Sequence, residues 1–155
     1  MKKLILRLIR NFISNICRTK WILLGARIGR MTNIDPSVYI GFPGNFKMGA
    51  NGALNKGVFI SSMTSVEIGD NTHVGPYSAI FDSDHKMPIK EGGNVQLPIS
   101  VGNGVWIGSH VVILKGVEIG DNCTIGAGSI VNKSIPANSI AVGVPAKVIG
   151  HNEKG

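Results

Sequence analysis

Only two of the 155 residues are cysteine, Cys17 and Cys123. That is too few for a disulfide framework, and they lack the paired spacing of a zinc motif, so a reducing, cytoplasmic setting is expected. Acidic residues are missing from residues 1–30, which hold eight of the sixteen Lys and Arg, whereas residues 31–155 carry eight basic and nine acidic side chains. The net charge of +7 therefore divides into +8 and −1. A nearly neutral body excludes a general affinity for polyanions, and nucleic acid is not an expected partner. No apolar run reaches the roughly 20 residues of a membrane span. Arg7 and Arg10 interrupt the first apolar stretch and no small-residue cleavage site follows it, which argues against a signal peptide.

What the chain has in abundance is glycine, 21 residues, placed on a six-residue beat. Aliphatic residues recur at Ile28, Ile34, Ile40; Met48, Leu54, Ile60; Ile68, Val74, Ile80; Val101, Ile107, Ile113; and Ile119, Ile125, Val131. Glycine follows the aliphatic in nine of these fifteen hexads. The fifth position is small or β-branched: Thr32, Val38, Val58, Thr64, Thr72, Ser78, Val111, Cys123, Ser129. Neither a helix nor a plain strand has this period. A solenoid does, because units too small to bury a face alone stack their first-position side chains along one interior. Three hexads form one coil of a triangular prism, so an all-β solenoid of about five coils is expected over residues 25–150, with a tail at 151–155. Glycine at the second position suits a tight turn that needs positive φ or close backbone approach.

Residues 1–24 differ. Ile5, Leu8, Ile9, Phe12, Ile13 and Ile16 share one side of a helix, and Lys3, Arg7, Arg10, Ser14 and Arg18 the other. Two roles stay open for this amphipathic helix: a cap on the open end of the solenoid, and peripheral contact with an anionic membrane.

The beat breaks where the chain leaves the prism. Two eight-residue spacings, Ile40 to Met48 and Ile60 to Ile68, fit short turn insertions. The twenty-one residues from Ile80 to Val101 predict a protruding loop at residues 86–100, directly after Phe81-Asp82-Ser83-Asp84-His85. Histidine can take a proton near neutral pH, and a neighbouring carboxylate can orient it. His85 is thus a candidate general base, with Asp84 or Asp82 as its partner, and Asp84 is favoured because it occupies a fifth position where other hexads place small inward residues.

The hexads, Asp-Ser-Asp-His before the loop, Gly104-Val105-Trp106-Ile107-Gly108, Ile119-Gly120-Asp121-Asn122-Cys123-Thr124-Ile125-Gly126-Ala127-Gly128-Ser129 and Gly143-Val144-Pro145-Ala146-Lys147-Val148-Ile149 resemble the hexapeptide-repeat acyltransferases. Within that family the chain is most similar to small sugar and polysaccharide O-acetyltransferases of the maltose and colanic-acid or capsule type. The resemblance covers residues 25–150. It implies a left-handed parallel β-helix, a homotrimer, and acetyl-CoA as co-substrate in a groove between subunits, with no metal. It implies His85 as catalytic base and places Trp106, Gly108, Ser109, Gly126 and Ala127 beside the pantetheine arm, with Lys133 and Lys147 near the nucleotide. The segment Trp106 to Ser109 would also supply backbone donors to an oxyanion.

The implied reaction is transfer of acetyl to a sugar hydroxyl, in cell-surface polysaccharide or lipopolysaccharide synthesis at the cytoplasmic side of the membrane. An amine on a nucleotide-linked sugar is an alternative acceptor. A zinc enzyme of the γ-carbonic anhydrase type, using histidines among His73, His85, His110 and His151, fits poorly because His73 and His85 fall on different faces of one coil. A non-catalytic scaffold is the remaining rival.

Overall fold

A computed structural model describes residues 2–87 and 92–153. The tip of the predicted loop, residues 88–91, and the end of the tail lie outside the described residues. The described residues form one α-helix, Lys2–Leu23, followed by short strands that wind into a left-handed parallel β-helix of triangular section.

The three faces repeat in order. The first carries Arg27–Ile28, Phe46–Met48, Val66–Ile68, Ile99–Val101 and Glu118–Ile119. The second carries Asn33–Ile34, Ala53–Leu54, His73–Val74, Trp106–Ile107, Thr124–Ile125 and Ser139–Val142, and the third Tyr39–Gly41, Phe59–Ser61, Ala79–Phe81, Val112–Leu114 and Ile130–Val131. These are five complete coils and the first two sides of a sixth. The sixth opens at Ile135, bridged to Ile119, and continues through Ala141. Its hexads escape the sequence count because the step from Val131 to Ile135 is four residues instead of six. The strand Lys147–His151 folds back antiparallel on Ser139–Val142.

Register explains the beat. Ile34, Leu54, Val74, Ile107 and Ile125 stack up the second face, and Ile40, Ile60, Ile80, Ile113 and Val131 up the third, each buried. Each such side chain contributes roughly 1.5–3 kcal/mol by leaving water. The buried hydroxyls at fifth positions stitch one coil to the next. Ser78 Oγ donates to Gly108 O at 2.9 Å and accepts from Val111 N–H at 3.0 Å, and Thr72 Oγ1 does the same with Gly102 O and Val105 N–H. Thr64 breaks that pattern: it is exposed in the second insertion.

Second-position glycines serve close approach. A Cβ at Gly108 would lie 2.6 Å from Ala127 N in the coil above, and one at Gly75 2.5 Å from Gly108 C. Positive φ falls instead on fourth positions, at Asn51, Asn71, Asn122 and Asn138, at Met31, Tyr77 and His110, and at Gly104 and Gly128. Asn and Gly are the residues that tolerate this region best.

The helix covers the first coil by its polar side. Ser14 is buried and its hydroxyl accepts from Ile34 N–H at 2.7 Å, while Arg18 Nη1 donates to Gly29 O at 3.3 Å. Trp21 is buried edge-on to Tyr39, with ring centroids 6.5 Å apart. The apolar side therefore faces away from the solenoid, the reverse of a cap that buries its hydrophobic arc. Backbone groups at the end of the prism need hydrogen-bond partners, and a serine and an arginine supply them where leucines could not.

Candidate active site

The corner between the third and first faces builds the surroundings of His85 from below. In the first coil the insertion folds as a 3-10 turn, Pro43–Asn45, and Asn45 Nδ2 donates to Ser62 O at 3.1 Å and Met63 O at 2.9 Å. The second insertion rests on that amide and is held from above by Asp82. The carboxylate of Asp82, fully buried, accepts from Met63 N–H at 3.0 Å, Thr64 N–H at 2.6 Å and Ser65 N–H at 3.2 Å. Its own carbonyl accepts from Leu97 N–H at 2.9 Å, where the chain returns. Asp82 thus binds the two ends of the excursion to the corner beneath it.

After Asp82 the chain departs as a hairpin. Ser83–His85 pairs antiparallel with Asn94–Gln96, Asp84 opposite Val95 and His85 opposite Asn94. The excursion ends earlier than the sequence spacing indicates, since Ile99 is buried and already paired with Val66.

Asp84 consequently stands outside the prism wall and is exposed. Its Oδ2 accepts from Lys115 Nζ at 3.0 Å and its Oδ1 from the His85 backbone N–H at 2.8 Å. The Lys115 ammonium first, then the His85 N–H, hold its carboxyl below the ordinary carboxylate range. Among the described residues, neither Asp82 nor Asp84 hydrogen-bonds the His85 imidazole; one carboxylate is spent on a backbone corner, the other on Lys115 and the strand. Phe81, Ser83, Asp84, Leu114 and Lys115 line a cleft of about 230 Å³ beside the hairpin. Lys115 escaped the sequence reading, although the register that aligns Ile80 with Ile113 already brings it next to Asp82.

Apart from Lys133, which follows Val131 on the same edge as Lys115, the remaining candidates occupy the opposite edge of the third face. Trp106 projects from the second face, 56% exposed, with its ring 6.0 Å from that of His73 one coil below. Gly108 and Ser109 form the corner that follows, and Gly126 and Ala127 the same corner one coil higher. Gly108 is buried, Ser109 and Gly126 half-buried and Ala127 exposed. Lys133 and Lys147 are exposed higher up, Lys133 past the third face and Lys147 opposite Val142 in the returning strand. The N–H groups of Trp106 and Gly108 donate to Cys123 O and Ile125 O at 2.9 and 2.8 Å. Ile107 is fully buried and Ser109 half-buried.

Within one chain these two groups do not converge, because the third face separates them. That face presents Tyr39, Phe59, Ala79, Val112 and Ile130 outward, with the Tyr39 and Phe59 rings stacked 5.0 Å apart and Phe59 and Phe81 at 5.6 Å. The first face, by contrast, presents Arg27, Lys47, Glu67, Ser100 and Glu118. Among the described residues no three His, Cys, Asp or Glu side chains gather as a metal site.

Residues 98–133 match the family model "Bacterial transferase hexapeptide (six repeats)". A galactoside O-acetyltransferase of Escherichia coli is 43% identical over 127 residues, covering 80% of this chain and 63% of that protein. The chain thus spans less than two thirds of that relative. The crystal structure of a maltose O-acetyltransferase from Clostridium difficile superposes with a TM-score of 0.80 at 29% identity, over 91% of this chain and 87% of that one. A hexapeptide-repeat acetyltransferase from Vibrio cholerae complexed with acetyl coenzyme A superposes at 0.83 with 25% identity, over 86% and 75%. Residues 98–133 thus carry bacterial transferase hexapeptide repeats, and by its coils, its glycine corners and these likenesses the chain as a whole is similar to the hexapeptide-repeat acetyltransferases.

Proposed function

We propose that the chain is an acetyl-CoA-dependent O-acetyltransferase that modifies a sugar hydroxyl, with His85 as general base. The observation that carries this reading is the placement of an exposed histidine at the end of Ser83–His85, where the prism opens, in a chain 43% identical to a galactoside O-acetyltransferase.

A thioester needs no further activation of the acyl group, only a deprotonated acceptor held in line. The His85 imidazole takes the hydroxyl proton as the sugar oxygen bonds to the thioester carbon. The resulting oxyanion collapses, the carbon–sulfur bond breaks, and the thiolate leaves as free thiol with the proton carried by the imidazolium. No acyl-enzyme is required, and the cysteines are poorly suited to one: Cys123 is buried, and that burial pushes its thiol up, while Cys17 sits on the helix against the first coil. Asp84 acts as a positioning residue, fixing the strand that ends in His85 through its backbone N–H and Lys115.

Trp106, Gly108, Ser109, Gly126 and Ala127 flank the pantetheine arm, and Lys133 and Lys147 suit the nucleotide phosphates. Since His85 and Lys133 lie on one edge of the third face and the corner at Gly108 and Gly126 on the other, a complete site forms between copies. The apolar outward residues of that face support a homotrimer in which each site draws on two subunits. A sugar acceptor from cell-surface polysaccharide synthesis and a cytoplasmic location complete the reading.

Thiol release from acetyl-CoA across a panel of sugars, nucleotide sugars and polysaccharide fragments tests it. His85→Ala is expected to lower kcat at least a hundredfold while sedimentation still reports the trimer. Unchanged turnover in that variant would remove the general-base role.

A further inference from the structure

The feature left unexplained by catalysis is the outer side of the helix Lys2–Leu23. Leu4, Ile5, Leu6, Leu8, Ile9, Phe12, Ile13, Ile16, Ile22 and Leu23 are each between 40% and 81% exposed. At about 100° per residue they sweep roughly 200° of the circumference. That is far wider than the stripe a helix presents to a protein groove. The residues that anchor the helix, Ser14, Cys17, Arg18 and Trp21, lie at the centre of the opposite side. The arc is thus held outward along the helix, about 33 Å for 22 residues.

We infer that this arc is a docking surface for an anionic lipid bilayer, with the helix lying in the interfacial plane. Charge selects that occupant. The first thirty residues carry eight cations and no acid, and the remainder of the chain has a net charge of −1. A second copy docking through the same arc would bring two +8 segments together with no acidic counterpart, whereas a surface of acidic headgroups neutralises them. Arg10 and Lys20 are exposed along one border of the arc, and Lys3 and Arg7 behind it. The aliphatic stems of Arg10 and Lys20 allow their charged ends to reach headgroups while leucines and isoleucines enter the acyl boundary, and the cations behind the arc add to the longer-range attraction. Among the described residues no helix is long and apolar enough to cross a membrane, so the helix lies on the bilayer. The polar anchoring described above removes the conflict between capping and docking, because each uses a different side.

Flotation with phosphatidylcholine vesicles, with and without phosphatidylglycerol, tests the inference on the full chain. The chain is expected to float with the phosphatidylglycerol vesicles and to detach as salt is raised. Phe12→Glu combined with Ile16→Glu, both at exposed positions that leave the Ser14 and Trp21 contacts intact, should lower partitioning at least tenfold. Arg7→Gln combined with Arg10→Gln, which leaves six of the eight cations, should weaken the preference for the acidic lipid. Circular dichroism verifies that each variant keeps its fold, and thiol release with a soluble sugar should match the parent, which separates this inference from the catalytic one. Equal flotation of the Phe12/Ile16 variant overturns it. So does absence of flotation together with a higher assembly that the same variant dissolves, which would make a second copy the occupant.

Discussion

Replacing Asp82 with alanine separates a structural carboxylate from a catalytic one. The side chain is fully buried and accepts three backbone N–H groups, at 2.6, 3.0 and 3.2 Å. Hydrogen bonds to a charged acceptor are worth roughly 1.5–3 kcal/mol each, and an orphaned buried donor costs a further share. The three share one carboxylate, and Thr64 is exposed, so water recovers part of the loss. A net destabilisation of about 3–4 kcal/mol follows. For a chain of this length each kcal/mol lowers Tm by about 2–4 °C, giving a fall of roughly 6–16 °C. The assay is thermal denaturation at fixed protein concentration, since oligomerisation makes Tm concentration-dependent. It is paired with kcat measured well below the transition. Turnover of the folded variant should stay within several-fold of the parent, because the carboxylate contacts residues 63–65 and not the imidazole. An unchanged Tm with a hundredfold loss of kcat would refute the structural assignment and make Asp82 the partner of His85.

Two other outcomes follow from the same geometry. Because Lys115 and the His85 N–H lower the Asp84 carboxyl, NMR titration of its side-chain carbon should give a midpoint below the ordinary value of about 3.9; the pair is complete above that value and is lost as pH falls through the lowered midpoint. Lys115→Met should return the midpoint toward the ordinary value, and raised salt should act in the same direction. Gly108→Ala places a methyl 2.6 Å from Ala127 N and 2.8 Å from its Cα, and forcing the coils apart should cost roughly 1–3 kcal/mol, visible as a lowered Tm without acetyl-CoA present.

The solenoid was legible because its period is a property of side-chain class alone: an aliphatic at every sixth residue commits the chain to one interior. The same regularity concealed the sixth coil, since a four-residue step between Val131 and Ile135 breaks the count without leaving the prism. It also hid the division of labour between glycines, because spacing shows that Gly108 recurs but not whether φ or close approach demands it. His85 was legible as the residue at the break. The partners of Asp82 and Asp84 were not, since the hairpin carries Asp84 off the wall, while Asp82, just before the hairpin strand begins, turns into the corner. Two residues apart in sequence, they face different neighbours from different coils. The helix showed its two sides plainly, yet which side met the solenoid depended on unpaired backbone groups at the end of the prism, and these belong to the fold.

Stacking gives the molecule a graduated height. Coils are spaced by about 4.8 Å, and His85 leaves from the third coil, so its strand sits two graduations, or about 10 Å, above the coil that the helix covers. With a helix about 10 Å across beneath the prism, His85 would stand roughly 20 Å from a bilayer on which that helix lay. A glycan tethered in the same leaflet would then offer His85 the hydroxyl at one level along its length, and adding or removing a coil would shift the reacting position by a single step.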